Sequence, residues 1–213
     1  MDREIHDFDE TAVPLRLGAS DTSALYYLPK ALSAFKRTNP AVQVALNTDS
    51  SAAVESSVFD GELDLGIVTL PATHSGLTSR VLYRQKLGLV VARQHPLARK
   101  DTVTLRDAEG LPFLFLDDGT RTGAALAAYF NAQGFAPDTI LRSGSFEVIK
   151  RYVAEDLGIA ILPDTVLRRE DEQRLVIKPI ENLPSVQIGA VWNPRAYLPR
   201  AASELLTLLG ELP

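Results

Sequence analysis

Residues 15–40 read LRLGASDTSALYYLPKALSAFKRTNP and place a strand, a polar junction and a helix in one short segment. Leu15 and Leu17 flank a polar residue, which is the alternation of a half-buried strand, and Gly18 ends it. Apolar residues then recur at helical spacing, namely Leu25, Leu28, Leu32 and Phe35. The helix is expected to end at Asn39–Pro40, because the residue before a proline disfavours the α conformation.

The same strand-to-helix arrangement recurs along most of the chain. Further strands are predicted at 42–46, 63–68, 87–92, 113–116, 139–142, 159–162, 176–177 and 186–192, and helices around 54–58, 126–130, 148–153 and 199–209. Strands that alternate with helices of this length form parallel sheets covered by helices. The composition shifts at 85–87 and 182–185, which we interpret as hinges between two α/β lobes.

The composition excludes several classes of protein. The 213 residues are 46% hydrophobic and 23% charged, which is ordinary for a folded globular chain. The absence of cysteine excludes a disulfide framework, a thiolate zinc site and a cysteine nucleophile. A net charge of −5 disfavours a free-standing nucleic-acid binder. No apolar run is long enough to span a membrane and the charged start lacks a signal peptide, so a cytoplasmic location is predicted.

Four polar junctions between a strand and a helix are the best candidates for ligand binding. They lie at residues 18–23, 49–51, 118–123 and 143–145. In an open parallel sheet such junctions meet at the carboxyl ends of the strands, where ligands bind. Each also presents helix N-terminal N–H groups that attract a carboxylate, sulfate or phosphate. Serine, threonine and aspartate are equally the usual N-cap residues, so a purely structural capping role stays open at every junction.

The usual arrangements of catalytic residues are missing from the sequence. The three histidines, His6, His74 and His95, show no metal-binding spacing, and there is no nucleophile elbow or P-loop. Asp117 and Asp118 are interpreted as a solvated turn rather than a metal site, because no second acidic cluster accompanies them. No catalytic residue, metal or cofactor is therefore predicted.

Four blocks in order resemble the effector-binding domain of LysR-type transcriptional regulators. They are the opening block at 15–40, GELDLGIV at 61–68, LGLVVARQHPLA at 87–98 and GSFEVIKRYVAEDLGIAILPD at 144–164. The resemblance covers roughly residues 14–210 and implies the type 2 periplasmic-binding-protein fold. In that fold two Rossmann-like lobes are joined by two crossover strands, and a small-molecule effector binds between them. The expected lobes are 14–84 with 186–213, and 85–185.

The resemblance also implies which residues contact the effector. They are Ser20, Thr22, Ser50, Ser51, Gly119, Thr120, Arg121, Thr122, Ser145 and Phe146, which occupy the four junctions already selected. One position departs from the family, because Asp156 stands where a glycine usually closes the helix. Aspartate tolerates the left-handed conformation better than most residues, so the fold is expected to survive at a small cost.

The family further implies partners and a mechanism. Residues 1–13 are interpreted as the remnant of a linker that follows a DNA-binding winged helix-turn-helix, so DNA would be contacted only through that missing module. A homodimer or homotetramer is expected, in which the helix at 24–37 packs on the partner's helix at 145–156. The effector is expected to be small and anionic and to change the lobe orientation. Two alternatives stay open: a solute-binding protein of a transporter, and an enzyme built on the same fold.

Overall fold

The structure of the chain, a computed structural model, describes residues 13–211. The predicted linker remnant therefore lies outside the described residues, apart from Val13. In chain order the strands and α-helices are β1 (Leu15–Ala19), α1 (Asp21–Tyr26), α2 (Leu28–Thr38), β2 (Val44–Thr48), α3 (Ser51–Phe59), β3 (Leu65–Leu70), β4 (Thr78–Gln85), β5 (Leu87–Ala92), β6 (Pro112–Leu116), α4 (Arg121–Gln133), β7 (Asp138–Ser143), α5 (Phe146–Ala154), β8 (Ala160–Pro163), β9 (Leu175–Lys178), β10 (Val186–Trp192) and α6 (Arg200–Glu211).

The chain divides into two compact units. Unit 1 runs to Val68 and adds Ala72–Leu82 and the residues from Gly189 onward, and unit 2 comprises Thr69–Pro71 and Tyr83–Ile188. The chain thus leaves unit 1 within β4 and returns to it within β10. Among the described residues, no helix is both long and apolar enough to cross a membrane.

Unit 1 is built on a five-stranded sheet in the order β2-β1-β3-β10-β4. β1 pairs in parallel with both β2 and β3, and Leu17 lies opposite Leu46 on one side and Leu65 on the other. Leu17 and Leu65 are fully buried because helices cover this part of the sheet. Because β1, β2 and β3 run in parallel, their carboxyl ends lie together at one end of the sheet, and two of the predicted junctions follow them there.

Unit 2 contains a three-stranded sheet, β8-β5-β9, and a two-stranded sheet, β6-β7. A parallel bridge between Phe113 and Ile159 connects the two sheets, supported by the bond from the Leu114 amide to the Ile159 carbonyl at 2.8 Å. The expectation of parallel pairing is confirmed for β6 and β7 but wrong for β5, which runs antiparallel to β8 and β9. β5 follows β4 without a helix between them, so no crossover connection fixes its direction.

The first predicted helix is divided into two. α1 ends at Tyr26 and α2 begins at Leu28, with Pro29 at its second position. Proline lacks an N–H and its ring clashes with the carbonyl four residues earlier, so the helix cannot continue unbroken through this point. The apolar stripe still forms the core side of α2, where Leu28, Ala31 and Phe35 are fully buried.

One strand has no counterpart among the sequence predictions. β4 lies at an edge of the unit 1 sheet, and half of its residues are exposed, Val81 to 48%. An edge strand of this kind lacks the clear apolar alternation that identifies a half-buried strand.

Candidate functional site

The junction after β1 is organised by Ser20, the N-cap of α1. The Ser20 hydroxyl accepts a hydrogen bond from the Ser23 amide at 3.4 Å and donates to the Ser23 hydroxyl at 3.0 Å. The Ser20 amide donates to the carbonyl of Ile67 at 3.1 Å, which fixes the junction against β3. Thr22 follows in the first turn of α1 and is half-buried.

The junction after β2 lies beside the first one, at the same edge of the sheet. Thr48 is paired with Ala19 in the register of β1 and β2, and the Asp49 amide donates to the Ala19 carbonyl at 3.1 Å. Ser50 is the N-cap of α3 and accepts from the Ala53 amide at 3.2 Å, while Ser51 opens that helix. Unit 1 therefore brings its two predicted junctions together.

The junction after β6 is a tight turn that precedes α4. An Asp117 carboxylate oxygen accepts from the Gly119 amide at 3.0 Å, and the Asp117 carbonyl accepts from the Thr120 hydroxyl at 2.8 Å. Thr120 is the N-cap of α4 and accepts from the Gly123 amide at 2.9 Å. A Cβ atom on Gly123 would lie 2.3 Å from the Asp117 carbonyl oxygen, so only glycine permits this close approach.

The first turn of α4 carries the two most informative side chains of unit 2. The Arg121 guanidinium donates to the carbonyl of Thr69, which fixes a half-buried cation beside the helix N-terminus. Thr122 is only 5% exposed as a residue, and its hydroxyl has no hydrogen-bond partner among the residues that the structure describes, while the hydroxyl oxygen itself is accessible. A hydroxyl placed in this way is available for a hydrogen bond with a ligand or with water.

The junction after β7 lies next to the one after β6. Leu116 is paired with Ser143 in the register, and the Asp117 amide donates to the Ser143 carbonyl at 3.1 Å. Ser145 is the N-cap of α5 and accepts from the Val148 amide at 3.4 Å. Phe146, at 9% exposed, packs into the core of unit 2. Unit 2 thus repeats the arrangement of unit 1, with two junctions at one edge.

The capping interpretation is confirmed at all four junctions. The hydroxyls of Ser20, Ser50, Thr120 and Ser145 each accept from an amide three residues later. These caps satisfy one orphan amide per helix and leave the other first-turn N–H groups without an intrahelical partner. The donors that a junction offers to a ligand are therefore mainly amides of the first turn, oriented by the cap.

One charged pair beside these junctions was not identified from the sequence. Arg142, at the end of β7, forms an ion pair with Asp118 at 3.1 Å, and its guanidinium lies 5.1 Å from the centroid of the Phe115 ring. Sequence reasoning could not find the pair because the register of β6 and β7 brings together residues 24 positions apart.

The remaining candidates have structural surroundings. The His95 ring accepts from the Leu97 amide at 3.2 Å and caps a short 3-10 turn, and His74 stacks on Phe59 with 3.9 Å between ring centroids. His6 lies outside the described residues. Within residues 13–211, no cluster of three or more histidine, aspartate or glutamate residues is placed to hold a metal ion.

Comparison with known proteins identifies the family. A family model of the LysR substrate binding domain matches residues 9–212. The chain belongs to this family. A curated relative of this LysR substrate-binding domain is the HTH-type transcriptional regulator CysB of Burkholderia cenocepacia, which is 30% identical over 198 residues and 92% of the chain. The match covers 63% of that relative's length, as it does for the HTH-type regulator YwbI of Bacillus subtilis.

Solved structures agree with the fold of the LysR substrate-binding domain. The regulatory domain of Synechocystis CcmR, in complex with 2-PG, superposes with a TM-score of 0.82 at 24% identity and covers 92% of this chain and 95% of that chain. The effector-binding domain of QuiR, in complex with shikimate, gives 0.81 at 18% identity with the same coverage. These likenesses confirm the type 2 periplasmic-binding-protein fold that the sequence predicts.

Proposed function

We propose that this domain is the ligand-sensing part of a LysR-type transcriptional regulator and that it binds a small anionic effector. Membership of the family and the relatives' names as transcriptional regulators support this function over that of a transporter's solute-binding protein. The structures of CcmR with 2-PG and QuiR with shikimate show that domains of this fold hold small molecules. The effector would bind at the four junctions, through the ten residues that the family resemblance selects.

The observation that carries the proposal is the hydroxyl of Thr122. Thr122 lies in the first turn of α4, is 5% exposed as a residue, and presents an accessible hydroxyl with no hydrogen-bond partner among the described residues. The first-turn amides and the helix dipole favour a negative charge at this end of the helix, and the Arg121 cation adds to that preference. A carboxylate or phosphate oxygen would satisfy the Thr122 hydroxyl and the amides together.

Effector binding would then act on the lobes of the domain. We take unit 1 and unit 2 as the two lobes and β4 and β10 as the crossovers between them. A ligand that binds one lobe arrangement more tightly than another shifts the population towards it. In a full-length regulator this shift would reach the DNA-binding modules through a dimer in which the helices at 24–37 and 145–156 pack together. Val148 and Tyr152, 41% and 45% exposed on α5, supply apolar surface for such a contact.

The effector site is tested by a thermal-shift screen of anionic metabolites against the wild type and a Thr122→Val variant. Valine keeps the shape of threonine and removes the hydroxyl, and Thr122 caps no helix, so the ligand-free variant should be about as stable as the wild type. A genuine effector should bind the variant about tenfold more weakly, as expected for one lost hydrogen bond to a charged group.

A Thr102→Val variant is the matched control, because Thr102 is exposed and lies outside the junctions. Equal binding to the wild type and to Thr122→Val would place the effector elsewhere. The dimer is tested separately by light scattering at tens of micromolar, where a strictly monomeric domain would contradict the proposed packing of helices.

A further inference from the structure

A cavity of about 350 Å³ lies within unit 2, and none of the four junctions forms part of its wall. Its walls are the start of β5, the end of β8, the end of β9 and the segment 179–185. The volume is within the range of small-molecule sites, roughly 300–1,000 Å³. None of the predicted effector residues contributes to this cavity.

Two opposite charges face this cavity. In the pairing of β5 with β8, Leu87 lies opposite Pro163, and the Asp164 amide donates to the Lys86 carbonyl at 2.9 Å. Lys86 and Asp164 are therefore opposite neighbours, and both residues line the cavity. Neither charge forms an ion pair or side-chain hydrogen bond with the rest of the described chain. Both residues are exposed, so the cavity offers one cation and one anion at its solvent side, neither of them held by another side chain of the described chain.

The remainder of the wall is largely apolar. Leu87 and Ile180 are 7% and 8% exposed, and Ile177 and Leu183 are partly buried beside them. A ligand that fills this space must therefore combine an apolar body with two opposite charges close together. Free α-amino acids with apolar side chains have this combination at neutral pH, since their carboxylate and ammonium are attached to one carbon.

We propose that this cavity is a binding site for a free α-amino acid with an apolar side chain. The carboxylate of the amino acid pairs with Lys86, its ammonium pairs with Asp164, and its side chain packs on Leu87, Ile177, Ile180 and Leu183. The two ion pairs require both charges of the ligand, so the site selects a zwitterion against a simple carboxylate or amine. This site is independent of the effector junctions and does not rest on their function.

The test is calorimetry and thermal shift on the 213-residue chain with L-leucine as the probe. L-leucine should bind saturably and raise the Tm. Leucinamide, which lacks the carboxylate, and 4-methylpentanoate, which lacks the ammonium, should each bind about three- to fivefold more weakly, as expected for the loss of one ion pair with an exposed side chain. Lys86→Met and Asp164→Asn should each weaken L-leucine binding by a similar factor.

Control variants separate this site from general effects of charge and from the effector junctions. Lys30→Met and Asp101→Asn make the same substitutions at exposed positions outside the cavity, and both should bind L-leucine like the wild type. Thr122→Val should also leave L-leucine binding unchanged. The proposal is overturned if L-leucine does not bind, if either analogue binds as well, or if Lys86→Met and Asp164→Asn both bind L-leucine like the wild type.

Discussion

Replacing Asp171 with asparagine should destabilise unit 2 through a buried ammonium on α5. Lys150 is only 4% exposed and donates to an Asp171 carboxylate oxygen at 2.6 Å, to the Val166 carbonyl at 2.8 Å and to Glu147 at 3.0 Å. The same Asp171 oxygen accepts from the Arg168 amide at 2.9 Å. Asp171→Asn keeps the size of the side chain and removes the charge that best balances Lys150.

The expected loss is about 2 kcal/mol. Removing one partner of a buried ion pair costs roughly 3–5 kcal/mol when it leaves the other charge uncompensated. Lys150 retains Glu147 and the Val166 carbonyl, and Glu147 is 43% exposed, so its attraction is weakened by solvent. The loss should therefore fall below that range. In a chain of this length it corresponds to a fall in Tm of about 4–8 °C.

Urea unfolding followed by circular dichroism measures the loss, with Glu155→Gln as the matched control. Glu155 pairs with Arg174 at 2.8 Å, but both side chains are largely exposed, so neutralising it should cost under about 0.5 kcal/mol. A Lys150→Met/Asp171→Asn double variant should be more stable than Asp171→Asn alone, because no buried charge is left without a partner. If Asp171→Asn cost no more than Glu155→Gln, the reasoning about the buried ammonium would be wrong.

Two further predictions concern single positions. Asp156→Gly should raise the free energy of unfolding by about 1 kcal/mol, because Asp156 closes α5 at a φ of 59°, which glycine adopts without strain. Thermal unfolding measures the gain, and an unchanged Tm would contradict the prediction. Asp107→Asn should lower stability at pH 7, since hydrogen bonds from Lys100 and Thr104 lower the Asp107 pKa to about 2. That stabilisation is present above the unfolded pKa and is lost as the pH falls from about 4 towards 2, so urea unfolding should show the gap between the two proteins closing over this range.

The strands with the most buried residues were the easiest to predict. β5 and β10 were predicted with the bounds that the structure gives them, because all residues of β5 and five of the seven in β10 are buried, and only Gln187 interrupts their apolar sequence. The left-handed conformation expected at Asp156 is also confirmed. In contrast, the prediction of β4 fails because this strand lies at an exposed edge of its sheet. The prediction of one continuous helix fails at Tyr27 because a single proline lies inside an otherwise regular helical pattern.

The candidate site was predictable only in part. Serine and threonine before an apolar helix identify the N-caps directly, and Ser20, Ser50, Thr120 and Ser145 all cap helices. The burial of Thr122 has no such local signal, because threonine is equally common on a helix surface. The burial of that residue depends on how the rest of unit 2 packs around α4, which periodicity cannot reveal.

The order of strands relates the two units and clarifies where an anion would bind. When the Phe113–Ile159 bridge is included, the strand order of unit 2 is β7-β6-β8-β5-β9, and that of unit 1 is β2-β1-β3-β10-β4. β6, which precedes the first junction of unit 2, therefore has the same place in its sheet as β1, which precedes the first junction of unit 1. The cap sequences Ser20-Asp21-Thr22-Ser23 and Thr120-Arg121-Thr122-Gly123 then occupy equivalent positions. They differ chiefly in the charge of the first helical residue.

This difference in charge assigns unequal roles to the two junctions. Asp21 places a carboxylate at the N-terminus of α1, where it stabilises the helix dipole and repels an approaching anion. Arg121 places a guanidinium at the N-terminus of α4, where it adds to the dipole and attracts one. We therefore expect an anionic ligand to bind more tightly at the N-terminus of α4 than at the N-terminus of α1.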